Sequence, residues 1–149
     1  MAIKLILRNA IYPLLIVALL GCAGIQPHGV WDGKTHVVYH LSELGKVNFV
    51  LNNISNHVKG AGGAEHVDIV LVVHGPALRA FEKEGLSKRV AAGVTRLRDF
   101  DTHLVACGNT LRMQSLTVPD LVDGFQVAEE GGVTRIAALQ SAGYLYLRP

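Results

Sequence analysis

The sequence predicts an α/β domain of three layers, α/β/α, on a mainly parallel five-stranded sheet. Three observations carry that expectation. Short aliphatic runs alternate with stretches of helical periodicity from residue 35 onward. The run over 67–73 is nearly all aliphatic and β-branched, as a central strand buried on both faces requires. Glycine and proline stand between the runs, where the chain must turn.

The elements follow in order. Residues 36–40 form the first strand, and 44–58 a helix with Leu44, Val47, Leu51, Ile54 and Val58 on one face. Gly60, Gly62 and Gly63 stop that helix. After the central strand, His74-Gly75-Pro76 turns the chain, and Pro76 suits a helix start. Two short helices, 77–83 and 87–97, lie on either side of Gly85, and 102–106 is the third strand. Cys107-Gly108-Asn109-Thr110 then leads into a short helix, and Pro119 opens a further helical turn. A fourth strand at 125–127, a helix at 133–142 and a last strand at 144–147 complete the domain.

Ahead of the domain stands an export signal. Residues 1–8 carry Lys4 and Arg8, and residues 11–20 are apolar, interrupted by Pro13 and too short to span a bilayer comfortably. Leu19-Leu20-Gly21-Cys22 resembles a bacterial lipobox. That resemblance implies a lipoprotein-type signal peptide over 1–21, diacylation of Cys22, a tether over 22–34 and the α/β domain over 35–149. Several acyl chains on one residue anchor a protein stably where one would not. Ala23 after the cysteine, instead of Asp, favours the outer membrane, so the expected location is the periplasmic side of the cell envelope. Cleavage after Ala23 and retention as an uncleaved anchor are the two other readings of the segment.

The formal net charge of +2 comes from the leader, because Lys4 and Arg8 have no acidic counterpart there. The mature domain is therefore balanced, and a nucleic-acid partner, which needs a basic face, is not expected. The stretch from Lys83 to Arg98 is diluted by Glu82 and Glu84 and reads as a solvated helix face.

In a parallel sheet the residues just past each strand gather along one edge, where ligand sites form. Here these are His40, His74 and Cys107. Cys107 turns into a helix through Gly108, so backbone N–H groups can stabilise a thiolate, and a neighbouring histidine can take its proton. Lipidation of Cys22 would leave Cys107 as the only free thiol, and no CxxC exists, which argues against an internal dithiol mechanism. A buried cysteine that merely fills space is the competing reading. The histidines lack metal-ligand spacing, so neither a metal nor another cofactor is expected. His103, inside its strand, reads as a packed residue, and Asn109 and Thr110 read as caps of the following helix or as ligand contacts.

Val37-Val38-Tyr39-His40, Leu51-Asn52-Asn53, Val73-His74-Gly75, the segment from Val105 through Cys107-Gly108-Asn109-Thr110 to Leu111, and the ending from Gly143 to Pro149 resemble the DsrE/DsrF-like family. The similarity covers about residues 35–149. It implies a homotrimer or homohexamer. It also implies a sulfur-carrier role for Cys107, holding sulfane sulfur as a persulfide between donor and acceptor proteins that the sequence does not identify. The export signal departs from the relay proteins of that family, which are cytoplasmic. The expected function is thus a sulfur carrier in the cell envelope, with sulfurtransferase activity left open. The alternatives are a non-catalytic oligomeric small-ligand-binding module of the same fold and a thiol redox sensor.

Overall fold

The aliphatic run Val67–Val73 becomes the central strand because Val and Ile fit a pleated surface covered on both sides. The computed structural model describes residues 33–149; the signal, Cys22 and all but the end of the tether lie outside the described residues. The strands are β1 (Thr35–Leu41), β2 (Val67–Val73), β3 (His103–Cys107), β4 (Phe125–Ala128) and β5 (Leu145–Leu147). The helices are α1 (Val47–Gly60), α2 (Lys88–Asp99), α3 (Gly108–Gln114) and α4 (Gly132–Ser141). All neighbouring strands are parallel, in the order β4-β3-β2-β1-β5. The five-stranded three-layer architecture is the one the sequence predicts.

That order explains where the helices lie. The chain winds outward from β1 to β4 and then crosses back to place β5 on the other side of β1. Right-handed crossovers in opposite directions put helices on opposite faces. Accordingly α1 and α2 cover one face, over a core that includes Val37, Leu41, Leu51, Ile54, Leu71 and Phe81. On the other face α4 packs through Ile136 and Leu139 against a smaller core of Val38, Val70, Val72, Val105 and Ala128. The two helices of the larger layer approach closely at Gly93, where a Cβ would stand 2.7 Å from the Leu51 Cδ1. Ser87 caps α2, its Oγ accepting the Val90 N–H at 3.2 Å.

Some boundaries differ from the expected ones for local reasons. The segment after β2 is a 3-10 helix over Gly75–Phe81, with Pro76 in its first turn, where a missing N–H costs nothing. Residues Leu44–Lys46 are likewise a separate 3-10 turn, and Leu44 is 53% exposed, so it does not join the buried stripe of α1. Val50, in contrast, is fully buried in that stripe while Phe49 is exposed. No helix among the described residues is long and apolar enough to cross a membrane.

Candidate functional site at the carboxyl edge of the sheet

Side chains two apart on a strand share a face, so His40, Val72, Val105 and Cys107 all belong to the α4 side of the sheet. The strand order reverses at β1, and the crevice expected at such a switch point lies beyond the carboxyl end of that strand. His40 stands there. Its Nε2 lies 2.5 Å from the Nε2 of His74, just past β2, and its Nδ1 lies 2.6 Å from the Tyr146 hydroxyl on β5. The two imidazoles meet end to end, centroids 4.7 Å apart and planes 24° from parallel. The structure thus brings the two predicted histidines into direct contact.

Cys107 closes β3 and is 6% exposed. Burial pushes its pKa up, but the Gly132 N–H, the Thr110 hydroxyl and the N–H groups of Thr110 and Asn109 favour the thiolate and leave the net value below that of an ordinary thiol. Two turns therefore wrap the sulfur, the β3–α3 turn and the β4–α4 turn. Glycine makes that proximity feasible. A Cβ on Gly108 would stand 2.9 Å from the Ala128 carbonyl oxygen, and one on Gly132 would stand 3.2 Å from the Cys107 Cβ and 3.4 Å from the His74 Cβ. Cys107 and His74 thus flank one niche floored by Gly132.

Thr110 links the strands. Its buried hydroxyl accepts the Gly75 N–H at 3.0 Å, and Gln114 Nε2 donates to the Gly75 carbonyl at 3.0 Å. Asn109 faces outward, its Oδ1 accepting from Arg112 at 2.6 Å, while Arg112 also reaches Glu129 at 3.3 Å. The expectation that Asn109 or Thr110 caps α3 is corrected: Cys107 itself is the N-cap residue, and both follow it in the first turn.

Electrostatics on the histidine side run the other way. Burial, the adjacent His74 and the Arg148 guanidinium push the His40 pKa down to about 4. Burial and Arg148 likewise lower that of His74. Both rings are neutral at neutral pH. Arg148 is itself held by Glu43 Oε1 at 3.3 Å and Ser42 Oγ at 3.4 Å. Among the described residues no group of three or more His, Cys, Asp or Glu side chains is arranged to hold a metal ion.

Tyr146, Arg148 and Gly132 join the site without having been singled out for it in the sequence. Tyr146 needed the placement of β5 beside β1, which pairs it with Val38. The Gly131-Gly132 step after β4 was the one local signal available.

His103 corrects another expectation. Its side chain is 52% exposed at the opposite, amino end of the same face, 3.8 Å from Asp68 Oδ1. Asp68 Oδ2 also meets His36 Nδ1 at 2.9 Å and accepts from the Tyr144 hydroxyl. Tyr144 packs edge-on against His36.

No protein-family model matches the chain, and no curated protein matches it. Among solved structures, the chain is similar to a protein of unknown function, MTH1491, from Methanobacterium thermoautotrophicum, with a TM-score of 0.68 and 25% sequence identity. The similarity covers 78% of this chain and 100% of that chain, and so concerns the α/β domain as a whole.

Proposed function

We propose that the chain is a sulfur carrier of the cell envelope that holds sulfane sulfur as a persulfide on Cys107. One observation carries the reading: a thiol buried at a strand end whose pKa is nonetheless lowered by converging N–H groups and the Thr110 hydroxyl. A space-filling cysteine has no use for such donors. The same donors suit a persulfide anion, which is also sulfur-centred. The DsrE/DsrF-like resemblance of the segments around His40, His74 and Cys107 supports sulfur as the cargo.

Intact mass after incubation with thiosulfate or polysulfide tests the proposal. Wild type gains the mass of one sulfur atom and Cys107→Ser gains nothing. An unmodified wild type, or equal modification of both proteins, sinks it. Ligand binding retained by Cys107→Ser with no adduct on wild type would favour the small-ligand module instead.

Two further parts of the proposal rest on separate support. Anchoring through Cys22 rests on the Leu19-Leu20-Gly21-Cys22 sequence, and Cys22→Ser should release the protein from the membrane fraction. Assembly into homotrimers or homohexamers rests on the family resemblance. Its physical support is surplus apolar surface at Phe49, Leu145 and Leu147, which are 54%, 59% and 39% exposed. Light scattering that shows a monomer would remove it.

A further inference from the structure

The carboxyl edge holds a chain of three titratable side chains beside the thiol. Tyr146, His40 and His74 stand at the ends of β5, β1 and β2 in spatial order, and Cys107 ends β3 next to them. The links are 2.6 Å from the Tyr146 hydroxyl to His40 Nδ1 and 2.5 Å from His40 Nε2 to His74 Nε2. The Cβ atoms of His74 and Cys107 border the same space over Gly132, 3.4 and 3.2 Å from where a Cβ on that glycine would stand.

Two facing Nε2 atoms of neutral rings form a hydrogen bond only if one of them carries the proton. In one arrangement Tyr146 donates to His40 Nδ1 and His40 donates from Nε2 to His74. In the other, His74 donates from Nε2 to His40, and His40 donates from Nδ1 to the Tyr146 oxygen. Both arrangements satisfy both links, and passing from one to the other moves the proton of each link across it, with the net effect of one proton carried along the chain. Two links that hold in both polarities are what a proton relay requires, because a proton entering one ring nitrogen leaves by the other. Its outer end, Tyr146, is 39% exposed, whereas the thiol at the inner end is 6% exposed.

We propose that Tyr146, His40 and His74 form a proton relay between the buried thiol and solvent. The proposal rests on the reading of Cys107 as a sulfur carrier. In loading, the thiol proton leaves through His74, His40 and Tyr146. The thiolate electron pair then forms a bond to the sulfane sulfur of thiosulfate. The old sulfur–sulfur bond breaks, its pair leaving with sulfite, and Cys107 is left as a persulfide anion. In unloading, an acceptor thiolate bonds to the outer sulfur, Cys107 departs with the pair of the broken bond, and the relay returns a proton to it. No external oxidant or reductant enters either step. Arg148 acts on both imidazoles and, with Glu43 holding it, favours their uncharged forms, so the relay rests empty and ready to accept.

The test measures the rate of sulfur uptake from thiosulfate by the full chain across pH, in wild type, His40→Gln and Tyr146→Phe. The relay predicts rates lower by about tenfold or more in His40→Gln, a smaller loss in Tyr146→Phe, and restoration of the His40→Gln rate by added imidazole. The final mass gain is unchanged in both variants. Wild-type rates in both variants, or a slow His40→Gln that imidazole does not restore, overturn the relay while leaving the carrier intact. A wild type that takes up no sulfur overturns the carrier. The relay is then judged on alkylation by iodoacetamide, which also removes one thiol proton. Variants slowed and rescued by imidazole support it, and identical pH–rate profiles in all three proteins overturn it.

Discussion

The two ends of the α4 face of the sheet use histidine in opposite ways. At the amino end, His36 and His103 flank Asp68, and the Tyr144 hydroxyl donates to the same carboxylate. At the carboxyl end, His40 and His74 face each other beside a thiol, with Arg148 as the nearby charge. At the carboxyl end burial, the second imidazole and the Arg148 guanidinium give His40 a reason to stay neutral, whereas the amino end sets its two imidazoles around a carboxylate. A layer of Val38, Val70, Val72 and Val105 separates the two ends. Residue type alone therefore does not distinguish the end that bears the thiol. The charge environment does, together with the helix starts that only the carboxyl edge of a parallel sheet supplies.

The largest effect is expected where the sulfur is wrapped. In Gly132→Val a branched side chain must enter a niche where even a Cβ would stand 3.2 Å from the Cys107 Cβ. Overpacking of that kind costs about 1–3 kcal/mol. It also shifts the Gly132 N–H from the sulfur, so alkylation of Cys107 at neutral pH should slow several-fold, read as the rate of iodoacetamide incorporation.

Next comes Asp68→Ala at the opposite end. It leaves His36 and Tyr144 without their shared acceptor and should lower stability by about 1–3 kcal/mol in urea unfolding. The Cys107 alkylation rate should not change. A parallel change there would show that the two ends are not independent.

A third measurement uses pH. Because the folded pKa of His40 is about 4 against an ordinary 6.5, the unfolded chain binds the proton more readily between those values. The stability that His40 contributes is present above pH 6.5, falls as pH drops towards 4, and is gone below that. His74 acts in the same direction. In His40→Gln the stability curve should be flatter over this window, and an unchanged slope would refute the assignment.

The smallest expected effect is that of Arg148→Met. Its pair with Glu43 is exposed and is worth at most about 1 kcal/mol. Removing the guanidinium should nevertheless move the His40 titration upward from about 4 towards 6.5, measured by NMR.

Much of this was legible along the chain. The valine-rich run of β2 and the periodicity of α1 are local patterns that burial reads in only one way. The parallel sense of the strands placed His40, His74 and Cys107 on one edge, since every strand then ends on the same side. His103 was misjudged because even spacing from Cys107 gives its face but not its distance from the cover that α4 provides, and it lies beyond that cover. The caps were misjudged because a strand entering a helix without an intervening residue makes Cys107 its own N-cap.

The sequence by itself thus determined the layer architecture, the single strand-end thiol and the histidines that share its edge. Their identities and spacing are local properties of the chain. Only the tertiary structure decided that β5 returns beside β1 and brings Tyr146 and Arg148 to His40, and that the β4–α4 turn donates the Gly132 N–H to the sulfur. Strand order is set by long-range packing and by the direction of the crossovers, and no single segment carries that information.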